Sequence, residues 1–344
     1  MIKKFVIMLC AILAISIFIY VYYEDSPASE QTYINKNSGI YCLTASRDVF
    51  YLSSEDYKIL NKITVEGGWK ITPVQDGKIY ITVRGSLSKA GKEIAVLQNG
   101  KVIKNIELNH LLPRIIKYNE YNRKAYVGHI FYKNKNYITV INTEKDLVEN
   151  YLSYDKNIED IAFIKNKMII SAWAPKGKPY QIDIISLDNY SVTKTIPIDF
   201  IMSSMIVVGD MIYGINGLSQ EPFLYVIDWK KEKVVEKIRL KENSPWRVYK
   251  NEVDGKSYVY VSHYNIDNMS GKSISCVDPE NNEVVKTITN AFHPGDIAFN
   301  NKDIIVGDRV NDRLLIINGN KIKHKVYLGS RPLIIVKAKS LASD

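Results

Sequence analysis

One pattern recurs along the chain at a spacing of about 43 residues. A strand leads to a turn, then to a strand rich in Tyr, Val and Ile, then through a loop to a third strand, a short turn and a fourth. Asp76-Gly77-Lys78-Ile79-Tyr80-Ile81-Thr82-Val83 shows the first half, and Asp254-Gly255-Lys256-Ser257-Tyr258-Val259-Tyr260-Val261 repeats it. Asp-Gly between apolar runs predicts a tight hairpin, because Gly accepts positive φ at no steric cost. Weaker copies start at Asn122, Asn166 and Asn301. The second half is clearest in Leu224-Tyr225-Val226-Ile227-Asp228 followed by Val234-Val235-Glu236-Lys237-Ile238, and again in Ile274-Ser275-Cys276-Val277-Asp278 followed by Val284-Val285-Lys286-Thr287-Ile288.

Four strands in such a period make one blade of a β-propeller. Complete units run over about 69–110, 111–155, 156–200, 201–243, 244–292 and 293–328. Two pieces remain. Residues 39–66 hold three strands without a first, and residues 331–339 hold a first strand with nothing after it. Joined, they complete a ring of seven and bury the strand edges that an open stack would expose. The expectation is therefore an all-β, seven-bladed propeller over residues 38–340, its last blade closed by the C-terminal strand, with a short tail at 341–344.

The D-G-K-x-Y-V pattern followed by V-I-D and V-V-x-x-I resembles the YVTN-type β-propeller repeat proteins, within the wider group of quinoprotein-like and lactonase-like seven-bladed propellers. The resemblance covers about residues 39–340. The chain departs from it at Gly209-Asp210-Met211-Ile212-Tyr213-Gly214, which lacks the Lys, and in the degenerate 39–66 unit. The motif is structural. It implies the fold, and it leaves open a binding protein or an enzyme.

Residues 5–23 form an apolar run preceded by Lys3 and Lys4 and followed by Glu24 and Asp25. That length spans a bilayer core, and the preceding lysines keep the N-terminus, residues 1–4, in the cytoplasm. The expected chain is a single-pass membrane protein with its propeller outside, joined through a polar linker at 24–37. The alternative is secretion after cleavage near Ala28, where Ser26-Pro27-Ala28 offers small residues.

The formal net charge is +9. Such a domain is attracted to polyanions, although its lysines are scattered among Glu and Asp, as solubility alone would place them. Partners expected on this basis are a cell-envelope protein or an anionic polymer. Nucleic acid is not expected outside the membrane, and a monomer is. There is no GxSxG, HExxH, P-loop or GxGxxG pattern and no CxxC spacing. Cys42 and Cys276 read as buried, unpaired residues.

A site would lie on the face shared by the loops that enter the first strands and those between second and third strands. Aligning the first strands gives an apolar packing column, Ile71, Ile116, Ile161, Met205, Val248, Ile297 and Ile335. The preceding column should face the channel, by the period of a strand. It reads Lys70, Ile115, Asp160, Ser204, Arg247, Asp296 and Ile334. Its charges could bind a polar ligand or simply pair with one another. The candidate ligand-binding set on this face is Lys70, Arg114, Asp160, Trp246, Arg247, His293, Asp296 and Arg331. Nearby loops add Arg84, His129, Trp173, His263, Asp308 and Arg309. No HxxxH spacing supports a metal centre from the His and Asp residues, so no metal or other cofactor is expected. No catalytic residue can be assigned; His293 as an acid or base would need a partner in space.

Overall fold

The computed structural model describes residues 39–85, 88–130, 135–177 and 179–338. The apolar segment 5–23, the linker and the tail lie outside the described residues. Among the described residues no helix is long and apolar enough to cross a membrane.

The described chain forms seven four-stranded antiparallel sheets. Blades 1 to 6 cover residues 68–107, 113–154, 157–198, 202–239, 245–288 and 294–327. Blade 7 is composite: its inner strand Pro332–Lys337 pairs with Gly39–Thr44, and Asp48–Ser53 and Ile59–Thr64 follow outward. The joining register sets Ile40 against Lys337 and Cys42 against Ile335. Each inner strand packs against the inner strands of both neighbouring blades, and blade 7 meets blade 1, so the ring is closed.

Second and third strands are buried on both faces, as in Ile138, Val140 and Ile141 or Leu224 to Asp228. Every sheet lies between two neighbours, which replaces the expected alternation with nearly continuous apolar runs. Fourth strands face solvent and carry Lys and Glu, as in Lys233–Arg239. Charged outer strands discourage edge pairing between molecules.

The apolar residues fall into seven clusters, one at each blade interface. Each cluster holds one member of the packing column: Ile71, Ile161, Ile335, Met205, Ile116, Val248 and Ile297 in turn. The Asp76-Gly77 and Asp254-Gly255 turns have positive φ at both residues, the backbone of a type I′ hairpin. Cys42 and Cys276 are buried and unpaired.

Candidate functional site

The seven channel-column residues, Lys70, Ile115, Asp160, Ser204, Arg247, Asp296 and Ile334, all line a central cavity of about 640 Å³. One feature of the inner strands was not visible in the repeat. Near its start each strand slips register against its partner, skipping Trp69, Arg114, Glu159, Ser203 and Trp246 in blades 1 to 5. In blade 6 the slip covers Gly295 and Asp296, and in blade 7 it skips Leu333. A β-bulge bends its strand and re-aims the extra side chain. Arg114, Glu159, Ser203 and Trp246 accordingly line the cavity beside the channel column.

Inner strands have no sheet partner on the channel side, so their outward N–H groups need other acceptors. Side chains of the preceding blade supply them. Asp160 Oδ2 accepts from Met205 N at 2.9 Å, Ser204 Oγ from Val248 N at 3.1 Å, and Asp296 Oδ2 from Ile335 N at 2.6 Å. Tyr249 Oη accepts from Ile297 N at 3.2 Å. These polar residues therefore clip one blade to the next.

The charges in the channel are mostly spent on one another. Arg247 Nη1 donates to Asp296 Oδ1, which also accepts from Tyr249 Oη at 2.7 Å. Burial opposes the Arg247 charge, but Asp296 beside it more than offsets that, and the guanidinium stays charged. Burial and the same carboxylate push the Tyr249 hydroxyl well up, so it remains a neutral donor. Lys117 Nζ lies 3.1 Å from Asp160 Oδ1. Lys117 was missed in the sequence, yet it sits two residues beyond Ile115, and the period of a strand places it on the channel side. Lys70 is different. Its amine forms no ion pair or hydrogen bond among the described residues, and burial, then Arg247, push its pKa down to about 7 against the opposing pull of Asp160 and Asp296.

At the mouth, Arg114 donates to both carboxylate oxygens of Glu159 at 2.9 Å and to the carbonyl of Ile158 at 2.9 Å. Arg84 and Arg47 lie over the Trp69 ring at 4.1 Å and 5.5 Å. Arg309 lies 5.5 Å from the Trp246 ring and 5.0 Å from that of Tyr264. Gly295 makes room for it: a Cβ there would stand 1.9 Å from Arg309 Cδ. Arg331 is exposed on the loop leading into blade 7.

The histidines do not form one group. His129 and His263 end the second strands of blades 2 and 5 in matching roles. His129 bonds Leu111 O at 2.9 Å and Thr139 Oγ1 at 2.8 Å, and His263 bonds Asn243 O at 3.1 Å and Ser275 Oγ at 2.9 Å. Both rings are occupied, and burial lowers the pKa of each, that of His129 to about 4. His263 therefore has no free ring nitrogen for a ligand or for a site with His293. His293 Nδ1 instead meets the buried Asp308 at 3.0 Å, and Asp308 is also held by Arg313 and Asn311. Among the described residues no cluster of three His, Cys, Asp or Glu side chains could hold a metal ion.

No protein-family model matches the sequence, and no curated protein matches it. Solved structures do match the fold. A provisionally assigned 6-phosphogluconolactonase from Bacteroides fragilis superposes with a TM-score of 0.65 at 12% identity, covering 91% of this chain and 100% of the other. AztD from Citrobacter koseri, in its apo form, gives 0.61 at 12% identity over 88% and 98%. The dihydro-heme d1 dehydrogenase NirN, in complex with DHE, gives 0.60 at 10% identity over 87% and 75%. At these identities the likeness is one of architecture: the chain is a seven-bladed β-propeller similar to those proteins in fold.

Proposed function

We propose that this protein is a binding module of the bacterial cell envelope, held to the membrane by residues 5–23 with its propeller outside. Its partner, an anionic polymer or an envelope protein, is engaged by the channel mouth around Arg114, Trp246 and Arg331. One observation carries the reading. Carboxylates deep in the channel are consumed by Arg247, Lys117 and backbone N–H groups, whereas unpaired donors collect at the mouth. That distribution supports recognition more than acid–base chemistry.

The test is sedimentation of detergent-solubilised full chain with isolated bacterial cell walls. Trp246→Ala should reduce the bound fraction at least fivefold, and Lys302→Ala, in a turn on the opposite face, should leave it unchanged. Equal effects from the two would overturn the assignment of the face. N-terminal sequencing of the membrane fraction should return Met1; a terminus near Ala28 would remove the anchor and leave a secreted module.

A second reading, an exported lactonase-like hydrolase or lyase, is favoured by the His293–Asp308 pair. A carboxylate holding Nδ1 leaves Nε2 as the nitrogen for a substrate proton. Turnover in a lactone screen that His293→Ala abolishes would establish it.

A further inference from the structure

The arginines of the mouth follow the order of the blades. Arg309 comes from blade 6, Arg331 from the entry to blade 7, Arg47 from blade 7, Arg84 from blade 1 and Arg114 from blade 2. All lie on loops or strand ends of the same face, and these blades are consecutive around the ring. Only Arg114 of the five has an ion-pair partner among the described residues. Arg47 Nη1, Arg84 Nε and Arg309 Nε are buried without a hydrogen-bond partner, as are the indole N–H groups of Trp69 and Trp246 beneath them. Burying a guanidinium N–H unpaired is costly, and a bound acceptor relieves that cost. The charges also oppose one another. After burial, Arg114 and Arg47 lower the Arg84 pKa; burial also lowers that of Arg309, where Arg247 and Arg331 add to it against the opposing pull of Tyr264 and Asp296.

Stacking on an aromatic ring fixes a guanidinium in its plane and leaves its edge donors to meet an oxyanion in a fork. Two arginine–aromatic stations are built here: Arg84 lies over Trp69 at 4.1 Å with Arg47 at 5.5 Å from the same ring, and Arg309 lies 5.5 Å and 5.0 Å from the rings of Trp246 and Tyr264. Arg331 lies between them in blade order. A single small anion fills one station and leaves the repulsion at the other. A linear ligand with recurring oxyanions satisfies both.

We propose that the mouth is a curved track for a linear polyanion, which runs from Arg309 past Arg331 to Arg84 with oxyanion groups seated on the two arginine–aromatic stations. This rests on the binding reading above and specifies its ligand as a chain bearing phosphodiester or carboxylate groups.

Equilibrium binding of the full chain to poly(glycerol phosphate) and to polyglutamate tests it, with orthophosphate as competitor. Wild type should bind at least one polymer, with affinity falling steeply as salt rises. Arg84→Ala and Arg309→Ala should each weaken binding about tenfold, and Lys302→Ala and Lys145→Ala, in turns of the opposite face, less than twofold. Arg84→Lys keeps the charge and loses the fork, so it should weaken binding severalfold at an unchanged melting temperature, which separates recognition from folding. Preference for one polymer names the oxyanion. Orthophosphate competing as well as polymer at equal phosphate concentration would overturn the track, as would wild-type affinity in both arginine-to-alanine variants. Retention on cell walls with no binding to either polymer would overturn the polyanion while leaving the binding module standing. Loss of both would remove the two together.

Discussion

Lys70 stands alone among the channel charges: Arg247 has Asp296, and Lys117 has Asp160. Its pKa is pushed from 10.5 to about 7 in the folded protein. The unfolded chain then binds the extra proton between those values, so the contribution of Lys70 to stability rises with pH from about 7 to 10.5. Below that window both states are protonated and the full penalty is present. Lys70→Met should raise the melting temperature at pH 6 by about 3 °C, and the gain should vanish by about pH 10. Differential scanning calorimetry across that range checks it; a gain that does not change with pH would show that the amine is not the cause. An anion at the mouth draws the Lys70 pKa back up, so binding at pH 7.5 should take up a proton. Titration calorimetry in two buffers of different ionisation enthalpy measures this directly. His263 makes the opposite point, since both ring nitrogens serve the fold. His263→Ala should cost about 2–4 kcal/mol in urea unfolding and leave metal content unchanged.

The inner strand carries both the architecture and the site. Its apolar column was legible because the repeat aligns, and one position per blade never turns polar. The channel column followed from the two-residue period. The bulge was not legible, since it changes how the strand pairs without changing which residues it contains. Trp246 and Arg114 are on the cavity wall for that reason. Nor could the sequence bring Arg47 to Trp69 or Arg309 to Trp246, because those residues belong to different blades and meet only when neighbouring blades pack. Asp160 and Asp296 stood out as departures from the repeat, and beside their cationic partners each also holds a backbone N–H of the next blade. Asp296 accepts from Arg247 and Tyr249 on one oxygen and from Ile335 N on the other, so an amide there must aim its own N–H groups at a donor. Asp296→Asn should therefore destabilise nearly as much as Asp296→Ala, by about 3–5 kcal/mol, because Arg247 is left buried and unpaired. Ser204→Ala removes one neutral bond and should cost about 1 kcal/mol. Similar losses in the three variants, read from urea midpoints, would refute the distinction.

On the scale of the whole molecule, the ring depends on a joint made by residues from its two ends. The Pro332–Lys337 strand pairs with Gly39–Thr44, carries Ile335 into the cluster between blades 6 and 7, and donates the Ile335 N–H to Asp296. Without it the ring opens, the edge of the Gly39–Thr44 strand is exposed, and Asp296 loses an acceptor role that the channel cannot replace. Truncation after residue 329 should thus cost far more than the loss of fifteen surface residues would, with a lower, broader melting transition and aggregation through the open edge. The defect should be one of order along the chain, not of composition. Ala338 N donates to Gly39 O at 2.8 Å, so the end of the inner strand lies beside the start of its neighbour. A short turn can therefore link residue 338 to residue 39. Placing 330–338 ahead of 39 in the truncated chain keeps the same sheet order and replaces a distant closure with a local hairpin. This rearranged chain should recover the melting temperature of the intact propeller and refold faster, because its last pairing no longer closes a loop the length of the domain. Recovery of stability without faster refolding would show that closure of the ring is not the slow step, and failure to recover stability would show that the joint needs more than these contacts.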